Sequence, residues 1–371
     1  MFSRVRRIAI LSPTLEGGGA EKVVCSVASA LSASGFKIDL LLMKAEGALL
    51  PDVDPAVQLF DLGAGRAVRS IIPVARYLRS ERPDVLLCGL EHANVVGLVS
   101  RIIANVQTRL VITAHCFPML SRKYSSGLRV RLLESLARIL YRQADLVVAV
   151  SSGVAQDLKQ SRGVSERRLR VIHNPIQTAA VLEQARETID DPWFSNGAEP
   201  VVLSLGRLVP EKHHRDLISA FKLVEKRCAA RLVIVGDGPL RSSLEDQVER
   251  LNLTHCVRFL GFEKNPYRYL ARAALSVLTT RIEGFGNVIV ESLLLGVPIV
   301  AIAGSGGPDE ILENGRYGKL VPAGDINALA YAMERSLAGA RDPFGLRDRA
   351  ACFSESRIIP QYVAAIESLF E

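Results

Sequence analysis

Apolar residues in this chain come in short blocks rather than long spans. In the first half they fall at Ile8–Ser12, Ile38–Met43, Val85–Leu90, Leu110–Ala114, Leu146–Ser151 and Leu169–His173. The second half restarts the pattern at Val201–Leu205, Leu232–Val235, Val257–Leu260, Leu275–Thr279 and Ile299–Ala303. Short continuous apolar blocks predict buried strands, and the longer stretches between them predict helices. Strands alternating with helix-length segments predict parallel sheets wound by right-handed crossovers, once in each half. Asn174-Pro175 closes the first series, and the polar stretch Thr188–Pro200 reads as a connection. The expected architecture is α/β, with two doubly wound Rossmann-like parallel-sheet domains at residues 1–177 and 200–355. A linker is expected at 178–199 and a final segment at 356–371. Such sheets bind ligands outside the carboxyl ends of their strands, so the domains are expected to face each other across a cleft.

Size and composition narrow the class. With 371 residues, 49% hydrophobic and 23% charged, the chain has room for two full cores. Arg4, Arg6 and Arg7 lead straight into the first strand, so no signal peptide is expected and a cytoplasmic location is. The longest apolar stretch, Val288–Gly304, contains Glu291 and breaks at Gly296-Val297-Pro298. It reads as a buried helix and strand, not a membrane span. Six scattered cysteines form no CxxC pair and are expected to be free thiols. The histidines show no metal spacing. Residues 1–180 hold 24 Lys and Arg against 14 Asp and Glu, while the remainder holds 22 against 25. The two halves are therefore expected to meet different partners.

The most telling segment is Glu283-Gly284-Phe285-Gly286-Asn287-Val288-Ile289-Val290-Glu291. It follows a strand and opens a short helix that stops at Gly296. A glycine turn there delivers backbone N–H groups and a positive helix end to one point, which suits an anion. Glu291 falls about one turn into the helix, where a buried acid needs hydrogen-bond donors. Three more strand ends carry chemistry. Gly206-Arg207 with Lys212 sets two cations in a loop, as a diphosphate requires. Gly236-Asp237-Gly238-Pro239 permits close backbone approach. Gly261-Phe262 ends a third strand. In the first half, Gly17-Gly18-Gly19-Ala20-Glu21 opens a helix, and His115 closes the strand Leu110–Ala114. Asp52-Val53-Asp54 matches a metal-binding DxD pattern but lies between Pro51 and Pro55, away from every other candidate, and reads as chance. Residues 127–142 are amphipathic, with Arg131, Arg138 and Arg142 opposite Leu132, Leu133, Leu136, Ile139 and Leu140. A solvated basic face and a surface for anionic lipid both fit, the latter helped by Arg122 and Lys123 upstream.

Taken in order and spacing, these motifs resemble the family 4 retaining glycosyltransferases of the GT-B fold. The likeness runs through nearly the whole chain. It implies that the second domain holds a nucleotide-sugar donor, expected to be UDP-linked, and the first holds the acceptor. Arg207 and Lys212 would neutralise the diphosphate, Glu291 would accept from the ribose and Glu283 from sugar hydroxyls. Gly236 and Asp237 would line the donor site, and Phe262 would lie beside the base. Backbone groups of Gly284, Phe285, Gly286, Asn287 and Val288 would cradle sugar and phosphate. Gly18, Gly19 and His115 would close on the donor from the first domain, to which the final helix would return. No cofactor and no obligate metal are implied, since fixed cations and a helix end take that role. His213 departs from the family, which often has a small residue or glycine after the lysine. Lys264-Asn265-Pro266-Tyr267 and Gly306–Leu312 look most like bacterial members that extend lipid-linked glycans. That implies a glycan or lipid-diphosphate-linked acceptor and a peripheral place at the inner membrane face. A GT-B epimerase or phosphorylase, and a non-catalytic nucleotide- or lipid-binding protein, are the alternative readings.

Overall fold

A computed structural model describes residues 7–117, 138–195, 197–304, 306–339 and 343–371. The chain divides into two compact units. One runs up to Ile176 and takes back Glu355–Glu371, and the other is Gln177–Ser354.

The first unit is a seven-stranded parallel sheet: β1 (Arg7–Ser12), β2 (Lys37–Leu42), β3 (Gln58–Asp61), β4 (Val85–Cys88), β5 (Arg109–Ala114), β6 (Leu146–Ala149) and β7 (Leu169–Val171). Its order, β3-β2-β1-β4-β5-β6-β7, reverses between β1 and β4. The inner strands are buried on both faces, which is why they read as unbroken apolar blocks. Helix Ser152–Arg162 shows how local sequence sets the ends. The Ser151 hydroxyl accepts from the Val154 N–H at 3.3 Å, and Gly163 ends the helix in the left-handed region. Helix Glu355–Glu367 packs Ile358, Ile359, Tyr362 and Ile366 into the core that also holds Val23, Val27 and Leu31. Ser26 donates to Glu355 at 2.7 Å beside that contact.

The second unit is a six-stranded parallel sheet: β8 (Val201–Leu205), β9 (Arg231–Val235), β10 (Val257–Gly261), β11 (Leu275–Leu278), β12 (Ile299–Ile302) and β13 (Lys319–Val321). Its order is β10-β9-β8-β11-β12-β13, so it reverses between β8 and β11. Alternate residues serve two cores. Val202, Leu232 and Ile234 face one, and Leu203, Leu205, Val233 and Val235 face the other.

Two edge strands, β3 and β13, escape the apolar pattern. Strand β3 is largely exposed, and β13 has three residues, one of them a lysine. The stretch 178–199 differs from the expected linker, because it is built into the second unit. Thr178–Gln184 is helical and Pro192–Phe194 forms a 3-10 turn. Asp191 accepts from the Trp193 N–H at 2.9 Å and pairs with Arg258 at 2.7 Å. The Trp193 ring has the guanidiniums of Arg231 and Arg258 at 4.9 and 4.1 Å. The polar residues that resemble a connection are the fastening points of a docked segment.

Candidate active site

All strands of the second sheet run the same way, so its carboxyl ends share one edge. Backbone contacts join those ends into one rim. The Gly236 N–H reaches the Gly261 carbonyl at 2.7 Å, and the Gly206 N–H reaches the Val235 carbonyl at 3.0 Å. The Leu208 N–H donates to the Asp237 carbonyl at 2.9 Å. Two glycines make this approach possible. Gly236 has φ +136, and a Cβ there would sit 2.0 Å from the Gly206 oxygen; a Cβ on Gly238 would meet Leu208 backbone at 2.6 Å. At the other end, the Gly307 N–H donates to the Glu283 carbonyl at 3.3 Å, tying the β12 loop to the β11 loop.

Lys212 and Glu283 meet at the reversal between β8 and β11, with Nζ donating to Oε2 at 2.8 Å. Thr279, just beyond β11, donates to the Lys212 carbonyl at 2.7 Å and fixes the lysine loop. His213, next in line, is left-handed with φ +50 and starts helix His214–Glu225. That conformation favours glycine and explains why glycine suits the position. His213 contacts Asp216 at 3.6 Å, and Asp216 pairs with Arg281 at 2.8 Å. Burial, and then Arg281, push the His213 imidazole below its usual range. Burial chiefly lowers His214 to about 4, helped by Lys212. Arg207 is exposed on the same loop.

Gly286, φ +101, is the cap of helix Asn287–Leu294 and has no side chain to offer its amides. Gly284, Phe285 and Gly286 are buried, while Asn287 and Val288 are half-buried. The Phe285 ring packs edge-on against Phe353 at 5.5 Å, so this residue can present only backbone. Glu291 is 7% exposed and accepts from the Tyr267 hydroxyl at 3.0 Å. Burial, and then the Glu291 charge, push the Tyr267 phenol well up, so it stays a donor. Asp237 is exposed and accepts from the Gly238 N–H at 2.7 Å. Phe262 is 59% exposed, an apolar ring left at the rim.

The first unit holds the remaining candidates on its own sheet. His115 follows β5 and is half-buried; burial lowers its imidazole to about 4, so it is neutral near pH 7. Gly18 and Gly19 are exposed, but their loop is not an open cradle. The Glu21 carboxylate accepts from the Gly17 and Gly18 N–H groups at 2.8 and 2.9 Å, and Thr14 donates to it at 2.9 Å. In the same unit, Arg162 pairs with Glu91 at 3.4 Å and lies over the Tyr141 ring at 5.6 Å. Asn94 donates to the Thr113 carbonyl at 2.8 Å and to the Tyr141 hydroxyl at 3.2 Å. This polar cluster has no motif at sequence level, since Glu91 and Asn94 stand tens of residues from Tyr141 and Arg162. Arg122, Lys123 and Arg131 lie outside the described residues. Arg138 and Arg142 are exposed, as expected of a basic face. Ile139, expected on the apolar side, is instead 61% exposed, while Leu140 is buried.

Tyr267, Thr279 and Gly307 support the site but are not among the residues singled out above for it. Tyr267 and Gly307 stand in stretches that mark the subgroup, so a signal was present, but nothing local says that the phenol faces Glu291. Among the described residues no group of three His, Cys, Asp or Glu side chains could hold a metal ion. None of their helices is long and apolar enough to cross a membrane.

Comparison with known proteins agrees with this geometry. Residues 17–180 match the model of Glycosyltransferase Family 4, and residues 185–351 match that of Glycosyl transferases group 1. The N-acetylgalactosamine-N,N'-diacetylbacillosaminyl-diphospho-undecaprenol 4-alpha-N-acetylgalactosaminyltransferase of Campylobacter jejuni is 28% identical over 90% of each chain. The lipopolysaccharide core biosynthesis glycosyltransferase LpsE of Rhizobium meliloti is 28% identical over 86% of each. Among solved structures, Anabaena HepE in complex with UDP-glucose superposes with a TM-score of 0.80 at 25% identity, covering 98% of this chain and 99% of that one. Two matched models that together span most of the sequence, on two doubly wound sheets, make this chain a member of the family 4 glycosyltransferases of the GT-B fold, an enzyme of sugar transfer.

Proposed function

We propose that this enzyme is a retaining glycosyltransferase that takes its sugar from a UDP-sugar. Its acceptor is a lipid-linked or polysaccharide glycan at the cytoplasmic membrane face, in cell-surface polysaccharide or glycoconjugate synthesis. The observation that carries the reading is the Lys212–Glu283 pair at 2.8 Å, set where the second sheet reverses and beside the glycine turn at Gly286. A cation and a carboxylate so close suit two neighbouring parts of one donor, a phosphate and a sugar hydroxyl. Arg207 and Lys212 neutralise the diphosphate, and backbone N–H groups after Gly286 add a partial positive charge. Glu283 accepts from the sugar, while Glu291, held by Tyr267, accepts from the ribose.

In the reaction the bond between anomeric carbon and diphosphate oxygen breaks, and a bond from that carbon to the acceptor oxygen forms. The departing diphosphate takes the acceptor proton on the same face, which preserves the anomeric configuration. His115 of the first unit, neutral near pH 7, is suited to donate a hydrogen bond to a sugar hydroxyl. On this reading the fixed cations stabilise the leaving group and no resident metal is required. Support for the donor comes from HepE, crystallised with UDP-glucose, and for the acceptor from the undecaprenol-diphosphate named in the Campylobacter relative.

A thermal-shift screen over UDP-, GDP- and ADP-sugars tests the donor, since a ligand that binds only the folded state raises the melting temperature. The expected result is a strong shift with UDP-sugars alone, followed by transfer whose product keeps the donor's anomeric configuration by NMR. Inverted product would overturn the retaining assignment. A shift only with GDP- or ADP-sugars would overturn the nucleotide.

A further inference from the structure

Helix Ala67–Glu81 has an outer face that is both basic and apolar. Residues 62–80 contain Arg66, Arg69, Arg76 and Arg79 and no Asp or Glu. Val68 is 77% exposed and Ile72 55% exposed on the same helix. At about 100° per residue, Val68, Arg69, Ile72, Arg76 and Arg79 share an arc of about 100°. The opposite side, Ser70, Val74, Tyr77 and Leu78, is buried. Helix Glu91–Ala104 lies alongside, with Ser100 donating to the Ile71 carbonyl at 3.0 Å and Arg79 to the Ile103 and Ala104 carbonyls at 2.6 and 3.2 Å. Ile102, 55% exposed, therefore extends the apolar part of this surface.

Such a face is poorly matched to water. Like charges along one helix side repel, and branched apolar side chains gain nothing by exposure. Both faults disappear against a negatively charged surface with an apolar layer beneath it. We infer that this face docks the first unit on an anionic lipid bilayer. Val68 and Ile72 enter the boundary between headgroups and acyl chains, and Arg66, Arg69 and Arg76 meet lipid phosphates. The inference rests on the proposed function only for its purpose, bringing the enzyme to a lipid-linked acceptor. It moves the membrane contact from the basic helix expected at 127–142 to the helix after β3.

The test is co-sedimentation of the full chain with vesicles of phosphatidylcholine, with and without phosphatidylglycerol, at low and high salt. Binding is expected only with phosphatidylglycerol and should weaken as salt rises. Arg69→Glu with Arg76→Glu should reduce it on the order of 10-fold or more. Val68→Ser with Ile72→Ser should reduce it several-fold with charge unchanged, and Arg138→Glu with Arg142→Glu should leave most of it. Near-ultraviolet circular dichroism and melting temperature confirm that each variant is folded. Unchanged sedimentation of the Arg69/Arg76 variant would overturn the inference. So would loss confined to the Arg138/Arg142 variant, or a charge-dependent partner that is nucleic acid or protein with no vesicle binding. Transfer from UDP-sugar to a soluble acceptor glycan separates this from the function. Its failure in the parental enzyme counts against the proposed reaction, whereas the vesicle result alone decides the docking face.

Discussion

The glycine turns at Gly17–Gly19 and at Gly284–Gly286 both follow a strand, both open a helix and both have a glutamate nearby, yet the acids go different ways. In the first unit Glu21 folds back and takes the Gly17 and Gly18 N–H groups. In the second, Glu283 reaches out to Lys212 and Glu291 to Tyr267, and the cap residue Gly286 has no side chain of its own. Spacing decides the outcome. Glu21 stands three residues after Gly18, the distance at which a first-turn acid reaches back to the cap. Glu291 stands five after Gly286, on the next turn and facing inward. A glycine turn with an acid at the capping distance is thus satisfied by that acid, whereas at Gly286 the two acids turn to other side chains.

The comparison can be broken most directly by removing the charged members of the second region. Lys212→Ala and Glu291→Ala are expected to lower kcat/KM by at least about 100-fold, as loss of charged partners of a bound donor does. Circular dichroism should be unchanged. Parental turnover by both variants would show that the second region is not the donor site.

Acid should act on the second region through His214. Its folded value, about 4, lies below the usual 6.5, so the unfolded chain binds more protons between those limits. Stability from neutral, buried His214 is therefore complete above about pH 6.5 and lost as pH falls through about 4. The loss amounts to about 3 kcal/mol. Urea melts at pH 7, 5.5 and 4.5 should show this slope, and His214→Gln should flatten it.

Tyr267→Phe removes one donor from a buried carboxylate and keeps the ring. We expect donor KM to rise about 10-fold with a small change in kcat, as for one hydrogen bond to a charged group. A 2′-deoxyribose donor should lose less on the same substitution if Glu291 contacts the ribose. Equal loss with both donors would mean that Tyr267 acts only on the fold. The smallest effect is expected from Glu21→Gln. It should cost about 1 kcal/mol in the first unit, read from the urea midpoint, and leave donor KM nearly unchanged. A donor KM shift as large as that of Tyr267→Phe would erase the distinction between the two turns.

Much of this arrangement was legible in the residues. The central strands announce themselves because each is buried on both faces, as at Val201–Leu205 and Leu232–Val235. The rim of the second sheet was legible because glycines mark where backbones nearly touch, as Gly236 does against Gly206. What stayed hidden depends on contacts between distant positions. Nothing near Tyr267 points to Glu291, and nothing near Glu91 points to Arg162. The edge strands β3 and β13 were hidden for another reason, since an edge can be polar and still pair. The stretch 178–199 misled because Asp191 and Trp193 look like loop residues until their partners Arg231 and Arg258 are known.

The same Trp193 has a practical consequence. It is the chain's one tryptophan, and it belongs wholly to the second unit, held between two arginines. Its fluorescence is therefore a private signal of that unit. When urea or heat loosens the clasp, the indole emission should shift to the red, while far-ultraviolet ellipticity sums over both units. Any gap between the two curves measures how independently the halves of this enzyme melt, without a label or a truncation.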